Sequence, residues 1–232
     1  HAISYVRKTK EKIDILGEAQ FQTYRNKIQL GRKELCKIFN VPEDKKIIVY
    51  AGAGSGRHET KYLSALNDAI KKNILIDTHI IYRPHPWRGG LGEGEINFLS
   101  LNFEHITMDP HMVDYYKTQL LEPNDKVFMI EYEISNQLLT LADALISPLS
   151  TMLVEAITKG KPVLVFFPKE YDGKGVGPDK IHFADLIKQK NVITVYKYES
   201  FIANIIKLRQ YIGQKTIANE LKKASQYFHI LD

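Results

Sequence analysis

Short runs of consecutive apolar residues alternate along this chain with longer segments whose apolar positions recur every three or four residues. The runs at Ile13–Leu16, Lys46–Ala51, Thr78–Tyr82, His105–Met108, Val127–Ile130, Ala144–Ile146, Pro162–Phe167 and Ile193–Tyr196 predict strands. Continuous rather than alternating hydrophobicity marks strands buried on both faces, as in a parallel sheet. The periodic segments predict helices over residues 27–39, with Ile28, Leu35, Ile38 and Phe39 on one face, and over 57–72, with Leu63, Leu66 and Ile70. Further helices are expected from Ser135, as cap, to Ala142, over 150–158, over 198–209 and over 214–228. Residues 88–96 and 168–180 are glycine-rich loops. Strand alternating with helix predicts an α/β fold: a doubly wound, Rossmann-like domain with a mainly parallel sheet of about six strands. Ligands of such sheets bind beyond the carboxyl ends of the strands, so the strand-to-helix loops are where function is sought.

Composition narrows the picture without changing it. The 232 residues are 44% hydrophobic and 25% charged, the ordinary mix of a globular domain. No apolar run approaches the roughly 18 residues of a membrane span, and no secretory signal pattern stands out. The single cysteine, Cys36, excludes an internal disulfide framework and a cysteine-based zinc site; its place in an amphipathic segment favours a small buried apolar role. Scarce cysteine suits a cytoplasmic location. The net charge of +5 is scattered over the chain, too diffuse for nucleic acid. It would help gather phosphorylated ligands or favour peripheral association with the cytoplasmic face of an anionic inner membrane.

Three loops carry candidate chemistry. Gly52-Ala53-Gly54-Ser55-Gly56 follows a strand and precedes a helix, a place where backbone amides approach an anion. It lacks the full dinucleotide spacing and the Walker A lysine, so a tight turn is an equal reading; Gly54 is its candidate phosphate contact. Arg83-Pro84-His85-Pro86 ends a strand, with prolines freezing the backbone around one imidazole. His85 is thereby placed to donate to a phosphate. Arg83 either adds a charged planar fork there or pairs with a carboxylate of the fold.

The third loop, Ser147-Pro148-Leu149-Ser150-Thr151, opens a helix with Ser150 as cap. The same amides and hydroxyls suit an anion, and Ser147, Ser150 and Thr151 are its candidates. Glu155 lies one turn on, among Leu153, Val154, Ala156 and Ile157, where a carboxylate could accept from two ribose hydroxyls. Gly160 reads as helix punctuation. No paired D-x-D acids stand out: Asp77 and Asp109 are isolated, and Glu131-Tyr132-Glu133 is the one paired candidate. No metal site is expected.

Taken together, Arg83-Pro84-His85-Pro86, Leu139–Asp143, Ile146–Ala156 and Gly160-Lys161-Pro162-Val163 resemble the C-terminal domain of GT-B-fold glycosyltransferases. The likeness is to the bacterial capsule and teichoic-acid branch, which includes CDP-glycerol glycerophosphotransferases and CMP-sugar transferases, and it covers roughly residues 13–196. Ile15-Leu16-Gly17 with Phe21 is similar to the segment that leads into that domain. Departures are Pro148-Leu149 inside the serine loop and Gln22 where an Asp often stands.

The resemblance implies a donor site in which His85, Ser150 and Thr151 contact the phosphates and Glu155 the ribose. The backbone around Ile130, Glu131 and Tyr132 would read the base, and His182-Phe183 is a candidate for closing over the donor. His85 would be the catalytic group. It also implies no cofactor beyond the nucleotide-activated sugar or polyol donor, and a missing N-terminal domain carrying the acceptor site. Residues 1–26 would be the linker and incoming strand, 27–210 the nucleotide-sugar-binding domain and 211–232 a C-terminal helix. The chain by itself is then expected to bind nucleotide without turning over. The alternatives are half of a non-hydrolysing UDP-sugar 2-epimerase and a non-catalytic nucleotide-binding module.

Overall fold

A computed structural model describes residues 20–52, 59–85, 103–121, 131–167 and 185–225. Six strands form one sheet: β1 (Lys46–Ala51), β2 (Thr78–Arg83), β3 (Ile106–Met108), β4 (Ala144–Ser147), β5 (Val163–Phe166) and β6 (Val192–Val195). Every pairing is parallel and the order is β3-β2-β1-β4-β5-β6. The chain thus winds outward from β1 in one direction and from β4 in the other. A crevice opens where the direction reverses, beyond the carboxyl ends of β1 and β4. The expected doubly wound sheet is present. The predicted strands at Ile13–Leu16 and Val127–Ile130 lie outside the described residues.

Both faces of the sheet are covered, which is why its strands are continuously apolar. Ile47, Val49 and Ala51 of β1 face one cluster, with Leu145, Val163 and Val165. Ile48 and Tyr50 face the other, with Ile80, Tyr82, Ile146, Leu164 and Phe166. The first cluster is closed by α2 (Arg32–Ile38), α5 (Tyr132–Leu141), α6 (Thr151–Thr158) and α8 (Lys215–Ser225). The second is closed by α3 (Glu59–Lys71) and α7 (Phe201–Tyr211), the latter entered through a 3-10 turn at Tyr198–Ser200. Gly160 ends α6 at φ 70°, and a Cβ there would sit 2.8 Å from the Ala218 carbonyl oxygen of α8. The glycine therefore serves both the left-handed helix end and the close approach of α8.

Several helix limits differ from the sequence expectation. Residues 27–30 are not helical: α2 starts at Arg32, because Glu34 takes the Gly31 amide at 2.8 Å and Gly31 itself is extended at φ −76°, ψ 166°. Ser135 does not cap α5, which begins at Tyr132 with Glu131 before it; the serine lies inside the helix and its hydroxyl serves another purpose. Two helices were not anticipated: α1 (Gln20–Arg25) and α4 (Pro110–Leu121). The start of α4 carries a familiar signature, proline at the first helical position after Asp109, whose Oδ1 accepts the His111 amide at 3.0 Å. Cys36 is buried, as expected of a small apolar residue, and burial pushes its thiol pKa up.

Candidate functional site

At the carboxyl edge of β1, β2 and β4 a cavity of about 150 Å³ is lined by Gly52, Arg83, Pro84, His85, Ser150, Thr151, Met152 and Glu155, with Tyr24, Tyr132 and Ser135 from α1 and α5. Five side chains singled out in the sequence therefore converge: Arg83, His85, Ser150, Thr151 and Glu155. The topology explains it, because β1, β2 and β4 are neighbours in the sheet and their carboxyl ends stand side by side. Two larger depressions, of 380 Å³ along α2 and 300 Å³ between β1 and α7, lack such a convergence of polar groups from separate loops.

Arg83 is 6% exposed and held from two sides. Its Nη2 donates to the Ser135 hydroxyl at 2.9 Å, and its Nε lies 3.6 Å from Oδ2 of the fully buried Asp109. Asp109 is in turn fixed through Oδ1, which accepts the His111 amide and lies 3.0 Å from His111 Nδ1. Arg83 thus pairs with a carboxylate of the fold, one of its two readings, and also lines the cavity. Its remaining nitrogen, Nη1, is enclosed and has no hydrogen-bond partner among the described residues. A buried donor without an acceptor carries an unmet desolvation cost.

Ser150 caps α6, accepting the Met152 amide at 3.2 Å, and leaves the exposed Thr151 at the helix start. The positive end of the α6 dipole is therefore aimed at the cavity. Glu155 is 6% exposed one turn further along. Burial pushes its carboxyl up to about 7, against the opposing influence of a hydrogen bond from Tyr24 and the charge of Arg83. Tyr24 is 2% exposed; burial first, and the Glu155 carboxylate second, push its phenol above the usual range.

Other expectations part company with the geometry. Ser147 does not line the cavity: its hydroxyl is fully buried and donates to the Ala51 carbonyl at 2.8 Å, tying the end of β4 to the end of β1. In this arrangement it fastens two strand ends rather than lining the cavity. Glu131 is exposed before α5 and does not line the cavity, whereas Tyr132, 46% exposed, does. Gly54, Ile130, His182 and Phe183 lie outside the described residues.

Sequence reasoning missed Tyr24, Asp109, the true role of Ser135, and Glu59. Asp109 follows β3, and its amide bonds the Tyr82 carbonyl at 2.8 Å; parallel register thus places it beside Arg83, a signal available once β2 and β3 are paired. Glu59, 2% exposed, accepts the Tyr82 hydroxyl at 2.6 Å. A Cβ on Gly52 would stand 2.7 Å from Glu59 Oε2, so glycine is required where β1 ends at the cavity wall. Among the described residues no group of three or more His, Cys, Asp or Glu is placed to hold a metal ion. None of their helices is long and apolar enough to cross a membrane.

No family model matches the chain, and no curated protein matches it in sequence. Among solved structures it is similar to a glycosyltransferase from Rickettsia africae ESF-5, at 14% identity and a TM-score of 0.52, over 90% of this chain and 48% of that one. It is also similar to the wall teichoic acid polymerase TagF, at 15% identity and a TM-score of 0.48, over 85% of this chain and 41% of that one. A third is the C-terminal domain of the glycosyl transferase group 1 protein LpcC from Francisella tularensis, at 11% identity and a TM-score of 0.46, over 91% of this chain and 96% of that domain. The chain spans less than half the length of the first two. The fold is the expected Rossmann-like α/β domain, and it is similar to that of the Rickettsia africae glycosyltransferase.

Proposed function

We propose that the chain is the donor-binding domain of a glycosyltransferase or glycerophosphotransferase that makes bacterial surface polysaccharide, and that the cavity holds the phosphates and ribose of a nucleotide-activated sugar or polyol. The observation that carries this reading is the convergence of Arg83, His85, Ser150, Thr151 and Glu155 on one cavity at the point where the winding of the sheet reverses. The chemistry follows from the groups present. Cleaving a sugar–phosphate bond builds negative charge on the departing nucleotide. The Arg83 guanidinium, an imidazole N–H of His85 and the amino end of α6 are a fixed set of positive groups and dipoles for that charge. An oxygen reaching Arg83 Nη1 would also satisfy a donor that has no acceptor among the described residues.

On this reading the catalytic role of His85 is to stabilise the leaving phosphate, and no metal is required. Thr151 offers a hydroxyl at the helix start, Glu155 the acceptor for ribose, and Tyr132 a wall for the base. At about 150 Å³ the cavity has the size of a subsite and not of a whole nucleotide pocket, so it corresponds to the phosphate–ribose junction. The acceptor site belongs to an N-terminal domain, with the protein at the cytoplasmic face of the membrane. Equilibrium titration with CMP, CDP, UDP and GDP tests the proposal. Diphosphates should bind more tightly than CMP, and a Ser150→Ala/Thr151→Ala variant should lose diphosphate binding by about tenfold or more while a nucleoside is little affected. Absence of binding by all four would overturn it.

A further inference from the structure

Asp109 stands one step behind the cavity. It does not line the cavity, yet it is fully buried against Arg83, which does. Its backbone is fixed from both sides: the amide donates to the Tyr82 carbonyl at 2.8 Å, and the carbonyl accepts the Met112 amide at 2.8 Å. One carboxylate oxygen, Oδ1, is engaged by His111 through its backbone amide and its ring Nδ1, each at 3.0 Å. The imidazole is packed in turn against Phe39, with ring centroids 5.4 Å apart.

That hold decides how Arg83 is paired. A carboxylate free to turn commonly meets a guanidinium with both oxygens, on two parallel N–H bonds. With Oδ1 engaged by His111, Asp109 presents Oδ2 alone to Arg83, 3.6 Å from Nε. On the other side, Ser135 accepts from Nη2 at 2.9 Å while its own hydroxyl donates to the Glu131 carbonyl at 3.5 Å. The guanidinium is therefore held at Nε and Nη2. Asp109 Oδ2 and Arg83 Nη1 are both enclosed and have no hydrogen-bond partner among the described residues.

We propose that Asp109 is the positioning residue of the phosphate subsite: held by His111, it fixes the Arg83 guanidinium from one side and leaves Nη1 for an anionic oxygen of the ligand. The proposal rests on the reading of the cavity as a phosphate site. Positioning and simple electrostatics differ here in sign. By charge alone, a carboxylate this near repels an incoming anion, and removing it tightens binding. By positioning, removing it releases the guanidinium from its fixed place, and binding weakens.

The test is calorimetric titration with CDP, UDP and GDP and the matching nucleosides. It compares the 232-residue chain with Asp109→Asn, Arg83→Met and Arg83→Met/Asp109→Asn, each checked by thermal melting. Asparagine keeps the shape and an oxygen for the His111 amide but loses the charge beside Nε. Asp109→Asn is expected to weaken diphosphate binding by about tenfold and to leave the nucleoside unchanged. In the Arg83→Met background it should have no effect, because no guanidinium remains to be positioned. Diphosphate binding that is unchanged or tighter in Asp109→Asn, or that falls again in the Arg83→Met background, would overturn the positioning role and leave the nucleotide site standing. If Asp109→Asn does not melt cooperatively, His111→Ala decides. It keeps the backbone amide on Oδ1 but frees the carboxylate to turn toward Arg83, so diphosphate binding should weaken by about threefold, and unchanged affinity would overturn the proposal. Failure of the unmodified chain to bind any diphosphate would overturn both the positioning role and the phosphate site.

Discussion

Arg83 and Ser135 meet at 2.9 Å across the cavity, the guanidinium of β2 donating to a hydroxyl that sits inside α5. That bond ties the sheet edge to the helix, while Arg83 Nη1 has no hydrogen-bond partner among the described residues. On the far side of the same guanidinium, Asp109 is fully buried. Replacing Arg83 by methionine would strand that carboxylate without its cation. A loss of about 3–5 kcal/mol in urea denaturation is expected, and much of it should return when Asp109→Leu is added. Equal stability of Arg83→Met and the unmodified chain would show the pair to be unimportant.

Ser147 and Ser150 stand three residues apart and do different things. Ser147→Ala removes the bond to the Ala51 carbonyl and Ser150→Ala removes the cap of α6, so each should cost about 1 kcal/mol of stability. Only Ser150→Ala should weaken nucleotide diphosphate binding. Parallel melts and titrations of the two variants separate fastener from ligand contact.

Gly52→Ala is expected to be disproportionately costly for a single methyl group. The added Cβ would meet Glu59 Oε2 at 2.7 Å, and that carboxylate is already fixed by Tyr82. A loss of about 1–3 kcal/mol, read by chemical denaturation, follows from overpacking. Glu59→Ala in the same chain should relieve the clash, though not the loss of the Tyr82 bond.

Glu155 sets a pH dependence. Its folded pKa of about 7 lies above the ordinary carboxylate value of 4.5, so the folded chain binds more protons than the unfolded one between those limits. Stability must then fall as pH rises from about 4.5 to 7, by about 3 kcal/mol for this group alone. Glu155→Gln should flatten that fall. Denaturation midpoints at pH 5 and pH 8 that shift identically in both proteins would contradict the assignment.

The sheet was legible because its strands are buried on both faces, and Ile47–Ala51 or Val163–Phe166 can hardly be anything else. That His85, Ser150, Thr151 and Glu155 share one edge of the sheet was legible because strand-end loops and helix starts declare themselves by proline, hydroxyl and spacing. The place of Ser147 was harder to read, because a serine at the last residue of a strand looks like one in the loop after it. Tyr24 was hidden for a different reason. The six residues of α1 have little periodicity, and their place beside Glu155 depends on Lys159 and Asn136, more than a hundred positions away in the chain.

The claim at the centre is that this cavity binds the diphosphate of a nucleotide through His85 and its neighbours. Titrating CDP, UDP and GDP, with the matching nucleosides, into the unmodified chain and into His85→Ala tests it most directly. The account predicts that at least one diphosphate binds, that its nucleoside binds far more weakly, and that His85→Ala weakens the diphosphate by about ten- to a hundredfold without changing the nucleoside. Diphosphate binding untouched by His85→Ala, or no binding by any of the three, would contradict it.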